Sequence, residues 1–253
     1  MNETLQGIEL RNLIRRGLYE IADIHAYKPD IDQIIEFFHQ ELNLEKDRLK
    51  SFREEVLTLY AEPELLRSCF YSGVIEFFRS LPARLLPNKK SLSICSWTQG
   101  NLFLQARKAE FFHQELPPDL SANPSIYASL DKLALLPVVV RDLKVQGCER
   151  LILIDDRLNN VSKAKEALQE DSEGMIFIHK IRPDKVPDMR ISDHKDDFFE
   201  ITEWEKLAKV LENSPANKIG IILDKDGVIY DTTLYRTKLE ERLFDFFKKA
   251  FVR

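Results

Sequence analysis

The feature that most constrains the fold lies near the C-terminus. Residues Lys218-Ile-Gly-Ile-Ile-Leu223 form a short apolar run that stops at two carboxylates one residue apart, Asp224 and Asp226, followed by Gly227. Such a run reads as a buried strand. A second one, Arg150-Leu-Ile-Leu-Ile154, ends at Asp155-Asp156. Open α/β sheets place their ligands beyond the carboxyl ends of the strands. Two such strands side by side would gather three or four carboxylates at one edge. Acids so placed cost stability unless a cation or a reaction uses them. Mg²⁺, a hard cation that takes oxygen ligands, suits them.

The rest of the chain supplies the frame. Helical spacing over 10–24, over 31–42 and over Lys46–Tyr60 predicts helices, and Pro63 opens another helical segment that runs to Leu81. At Ser91 the character changes. A strand-like run, Leu92–Trp97, ends at Thr98-Gln99-Gly100, and a helix is expected over Leu102–Phe112. Further helices are expected over Ser129–Gln146, Val161–Leu168, Glu203–Leu211 and Thr237–Phe251, with another strand over Gly174–His179 and a polar loop over 180–197. Short strands alternating with helices imply a parallel sheet, hence the α/β class.

Composition narrows the function classes. The formal net charge of -5 argues against nucleic acid as a partner. It leaves room for a small anion at a local positive site. No apolar run of about 18 residues occurs, so no membrane span is expected. Met1-Asn-Glu-Thr lacks a basic-then-apolar signal pattern. Cys69, Cys95 and Cys148 lack metal-ligand spacing and read as reduced, packed thiols. A cytoplasmic protein is expected. The five histidines show no ligand spacing and read as surface or satisfied residues. Lys89, Lys90 and the stretch from Lys180 to Lys185 read as solvated loop charges.

Asp-x-Asp-Gly alone is a weak signal. An EF-hand calcium loop needs Gly at its sixth position, where Ile229 stands. A solvated turn rich in Asp and Gly remains open for the motif in isolation. Its neighbours add weight. Thr98 offers a hydroxyl at a strand end, and the backbone around Gln99 and Gly100 offers N–H groups to an anion. Lys132, ahead of the Asp155 strand, brings a positive charge toward a phosphoryl oxygen. Lys108 and Arg141 are its rivals for that role.

These pieces resemble the four motifs of the haloacid dehalogenase superfamily. The first is Asp224-Lys-Asp-Gly-Val-Ile-Tyr-Asp-Thr232, the second Ile94-Cys-Ser-Trp-Thr98-Gln-Gly100, the third Lys132 and its helix, the fourth Leu153-Ile-Asp155-Asp156-Arg-Leu-Asn-Asn160. Tyr71-Ser-Gly73-Val and Gly174-Met-Ile-Phe-Ile178 are also similar to the family's supporting phrases. Here the motif order is second, third, fourth, first. Cutting at Asn213–Asn217 and joining Arg253 to Met1 restores the familiar order, as in a circular permutant; a truncated tandem is the rival explanation.

The resemblance implies a Rossmann-like core over residues 71–231 and an α-helical cap formed by 1–70 with 232–253. It also implies a Mg²⁺-dependent phosphatase acting on a small phosphorylated metabolite. Asp224 would be the nucleophile and Asp226 the acid and base. Thr98, Gln99, Gly100 and Lys132 would hold the phosphoryl group. Asp224, Asp226 (through its carbonyl) and Asp156, helped by Asp155, would hold the metal. Asn160 stands where many relatives carry another acid. A non-catalytic binding or scaffold module and a phosphatase for a macromolecular phosphate end are the alternatives. Oligomeric state is open, with a swap of the C-terminal strand and helix between two chains as one outcome.

Overall fold

A computed structural model describes residues 3–20, 31–43, 46–100, 102–121, 125–182 and 197–251. The N-terminal part is helical: α1 (Glu3–Arg15), prolonged by a π-helical turn over Arg16–Glu20, then α2 (Ile31–Glu41), α3 (Lys46–Tyr60), α4 (Pro63–Arg67) and α5 (Val74–Leu85). The alternating part follows: β1 (Ser91–Gln99), α6 (Leu102–Gln114), α7 (Pro118–Ser121), β2 (Ser125–Ser129), α8 (Lys132–Val145), β3 (Arg150–Asp155), α9 (Leu158–Leu168), β4 (Ile176–Lys180), β5 (Phe198–Ile201), α10 (Trp204–Asn213), β6 (Lys218–Leu223) and α11 (Thr232–Phe251). Residues 21–24 of the helix expected over 10–24 lie outside the described residues.

The six strands are all parallel and ordered β2-β1-β6-β3-β4-β5. The last strand in sequence is therefore central, hydrogen-bonded to β1 on one side and β3 on the other. Counted from β6, the order reads 3-2-1-4-5-6, which fits a Rossmann-like, doubly wound sheet.

Strand periodicity divides the core between the two faces. Leu92, Ile94, Ile152, Ile154, Ile219 and Ile221 join one cluster. Cys95, Trp97, Leu151, Leu153 and Ile222 join the other, under α8 and α9. At Gly220 a Cβ would stand 2.7 Å from Leu151 Cδ2, so the helix-facing side of β6 has no room for a side chain there. All three cysteines are buried and unpaired, as expected for packed thiols.

The N-terminal helices pack on α11, far away in sequence. Phe247 meets Phe38 at 5.0 Å and Phe52 at 5.8 Å, ring centre to ring centre. Arg11 lies over the Phe244 ring, and Arg15 pairs with Glu240 at 2.8 Å. Among the described residues no helix is long and apolar enough to cross a membrane.

Several local expectations need correcting. The segment from Pro63 to Leu81 is two helices, because Gly73 takes a left-handed conformation (φ 75°) immediately before α5. Residues 125–129 form strand β2, and the helix expected from Ser129 begins at Lys132. Strand β5 was unforeseen. These two strands are the sheet's edges. They are short and half-exposed, so they lack the continuous apolar run of a central strand.

Two lysines read as solvated are structural. Lys180 is buried and donates to the carbonyls of Ile181 and Thr202. Lys90 donates to the carbonyls of Leu211, Glu212 and Ser214, satisfying the end of α10. Lys185 lies outside the described residues.

Candidate functional site

The register of β3 and β6 decides where the acids meet. Ile154 pairs with Leu223, and the Asp224 N–H donates to the Ile154 carbonyl at 3.0 Å. Asp155 and Asp224 therefore leave adjacent strand ends together. Because β6 is the first strand of the 3-2-1-4-5-6 order, this is the point where the order reverses, and there a doubly wound sheet opens a crevice. Oxygens from Asp155, Asp156 and Asp224 lie within 4.8 Å of one another, and all three residues are buried.

Each acid has different partners. Lys132, on the first turn of α8, sends its Nζ to Asp155 Oδ2 at 2.6 Å and Asp224 Oδ2 at 2.8 Å. Asp155 Oδ1 also accepts from the Arg157 N–H at 2.8 Å, and Asn160 Nδ2 donates to both Asp155 oxygens at 3.2 Å. Asp224 Oδ1 accepts from the Lys225 N–H at 2.9 Å. Asp156 Oδ2 is held by Arg182, while its Oδ1 is buried with no hydrogen-bond partner. A buried polar atom left unpaired costs about 1–3 kcal/mol. A bound cation would satisfy that oxygen.

The electrostatics separate two carboxylates that stand one residue apart. Burial pushes the Asp224 carboxyl up to about 7, against the pull of Lys132. Burial raises Asp156 as well, with Arg182 opposing. Burial works against the ionised form of Asp226 too, but Lys108 and Lys225 hold it down at about 2. Lys108 Nζ reaches Asp226 Oδ1 at 2.9 Å and Gln105 Nε2 reaches Oδ2 at 2.9 Å. The Asp226 carboxylate thus stands apart from the other three, on the α6 side of the crevice. Lys225 is fully buried, donates to the Gln105 carbonyl at 2.5 Å, and is lowered by burial to about 7.

The three candidate cations are sorted by geometry. Lys132 bridges Asp155 and Asp224, and Lys108 holds Asp226. Arg141 is exposed and faces Asp142, away from the acids. Thr98 is fully buried, and its hydroxyl donates to Gln105 Oε1 at 2.9 Å. A chain Thr98–Gln105–Asp226 results. Gln99 and Gly100 line a cavity of about 210 Å³ together with Lys132, Asp224 and Asp226. No family model, curated protein or solved structure matches this chain.

Three contributors escaped the sequence reading: Gln105, Lys225 and Arg182. Gln105 lies one turn into α6 with nothing in its spacing to mark it. Lys225 sits between the two acids of the motif, and the sequence reading gave it no role. Arg182 falls in a stretch read as a polar loop.

The chain reverses sharply after Asp226. The Lys225 carbonyl accepts from the N–H groups of Ile229 and Tyr230, and the Gly227 N–H returns to the Tyr230 carbonyl. Gly227 has φ 83°, and a Cβ there would collide with the Asp156 carboxylate and Arg182. Gly227→Ala is therefore expected to destabilise the protein by about 2–4 kcal/mol, from backbone strain plus displacement of an ion pair. Denaturant unfolding at constant m-value checks this, and a loss under about 1 kcal/mol would show that the loop has slack.

Proposed function

We propose that this protein is a metal-dependent phosphomonoesterase of the haloacid dehalogenase type. The observation that carries the reading is the convergence of Asp224, Asp155 and Asp156 at the switch point of the sheet, with Lys132 bridging the first two. The strand order recovered by counting from β6 supports a circularly permuted core. Packing of α1, α2 and α3 on α11 supports one helical cap, assembled from both ends of the chain and placed over the site. Its residues Tyr60, Tyr235 and Leu239 face the same cavity as Asp224.

The donor set fits a hard divalent cation: three carboxylates converge, and Asp156 Oδ1 lacks any other partner. Asp155, Asp156 and Asp224 would hold Mg²⁺, which supplies charge neutralisation at the phosphoryl oxygens. Asp224 attacks phosphorus, the P–O bond to the leaving group breaks, and an aspartyl phosphate forms. Lys132 balances negative charge beside the attacking carboxylate.

Water then attacks that phosphorus and gives its proton to Asp226, freeing inorganic phosphate and Asp224. Held at about 2 while Lys108 and Gln105 bind it, Asp226 is ionised at neutral pH but a weak base, so Lys108 must release it before it takes up the proton. Its acid step, protonating the leaving oxygen, needs Lys108 to turn from Asp226 toward the incoming substrate.

The test is phosphate release from phenyl phosphate, with Mg²⁺ and with a chelator. Release that depends on Mg²⁺, with a rise in Tm on adding the ion, is expected. Absence of both responses would refute the reading.

A further inference from the structure

The far wall of the cavity is unlike the carboxylate end. Leu18, Ile34 and Leu239 make it apolar, and Tyr60 and Arg236 interrupt it. Tyr60 is buried, and its phenolic oxygen has no hydrogen-bond partner. Burial raises its pKa, so the group stays a neutral O–H donor, and Arg236 is near enough for its charge to oppose that rise. Lys108, Lys132, Arg157 and Arg182 also line the cavity; Lys108, Lys132 and Arg182 are each tied to a carboxylate, and Arg157 has a partner of its own. Arg236 has no ion pair among the described residues. Arg236, with no ion pair among the described residues, and the Tyr60 O–H, with no acceptor, thus belong to the lining of the same cavity as Asp224, together with the apolar Leu18, Ile34 and Leu239.

We propose that Arg236 and Tyr60 form an anion-binding subsite, and that the substrate is a phosphate ester whose leaving group carries a second anionic group behind a short apolar segment. The inference rests on the phosphomonoesterase reading for which end of the ligand faces Asp224. An anion satisfies both groups at once: it pairs with the guanidinium and accepts from the phenol. A cation or a neutral apolar group would leave the O–H unpaired, which is how polar sites reject the wrong ligand. The cavity of about 210 Å³ is below the usual range for ligand pockets, so the substrate is compact. A carboxylate and a second phosphate share the required chemistry.

Binding of three non-hydrolysable probes in the presence of Mg²⁺ tests this by calorimetry: benzylphosphonate, 4-carboxybenzylphosphonate and 4-(phosphonomethyl)benzylphosphonate. The wild-type protein should bind at least one of the two doubly anionic probes about tenfold or more tightly than benzylphosphonate, and the probe favoured tells carboxylate from phosphate. Arg236→Gln should bring that ratio to within about twofold of unity, and Tyr60→Phe should reduce it. Arg236 is exposed on α11, so its substitution leaves the packing intact. Equal binding of the three probes, an unchanged ratio in Arg236→Gln, or no binding of any probe would overturn the subsite. Phosphate release from phenyl phosphate is read separately. Selective binding without release would keep the subsite and refute the phosphomonoesterase.

Discussion

Asp224→Asn is expected to abolish phosphate release, lowering it by roughly 10³-fold or more, as removal of a nucleophile does. It is also expected to leave the fold at least as stable. The Asp224 carboxyl is pushed up to about 7 by burial. A raised native pKa contributes stability that is present below the unfolded value and lost as pH rises through about 7. At pH 8 without metal, the wild-type protein has lost that contribution. Asparagine is neutral at every pH and keeps it. Its side-chain oxygen still accepts from the Lys225 N–H, where Asp224 Oδ1 accepts at 2.9 Å. Lost activity with an equal or higher Tm at pH 8 is the expected pair of results. Near wild-type turnover would remove Asp224 from the chemistry, and a large drop in Tm would make it structural.

Lys132→Met should give the largest stability change. The ammonium is 3% exposed, touches two buried carboxylates and lies 4.4 Å from the centre of the Trp97 ring. Methionine fills similar space without the charge. Removing one partner of a buried ion pair costs about 3–5 kcal/mol, because the remaining charge has no compensation. The loss should be greatest at pH 8 and shrink toward pH 5, as Asp224 takes up a proton and the excess negative charge falls. Mg²⁺ should recover part of it, since the ion binds only where the three acids are assembled. Unfolding titrations at both pH values, with and without Mg²⁺, measure each part. A loss under about 1 kcal/mol at pH 8 would show that Lys132 does not balance the cluster.

The centre of the sheet was readable because chemistry and burial coincide there. An apolar run ending in Asp224 or in Asp155-Asp156 marks both a buried strand and the end at which the acids converge. Edge strands β2 and β5 carry no such mark, since one side of each needs no partner and few of their residues are buried. Which lysine meets which acid depends on helix rotation about the crevice, which spacing along the chain does not encode. Lys132 and Lys108 were both visible as candidates, and only the packing of α8 and α6 assigns one to Asp224 and the other to Asp226. Gln105 and Arg182 join the site through tertiary contacts alone, as does the Thr98 hydroxyl, which reaches Asp226 through Gln105.

The central claim is that Asp224 carries the phosphoryl group. Rapid acid quenching during turnover of radiolabelled phenyl phosphate with Mg²⁺, followed by peptide mapping, tests it directly. Protein-bound label is expected on the peptide spanning Lys218 to Asp231, released by hydroxylamine as an acyl phosphate is, and absent from Asp224→Asn. Phosphate release with no protein-bound label, or label that persists in Asp224→Asn, would contradict it.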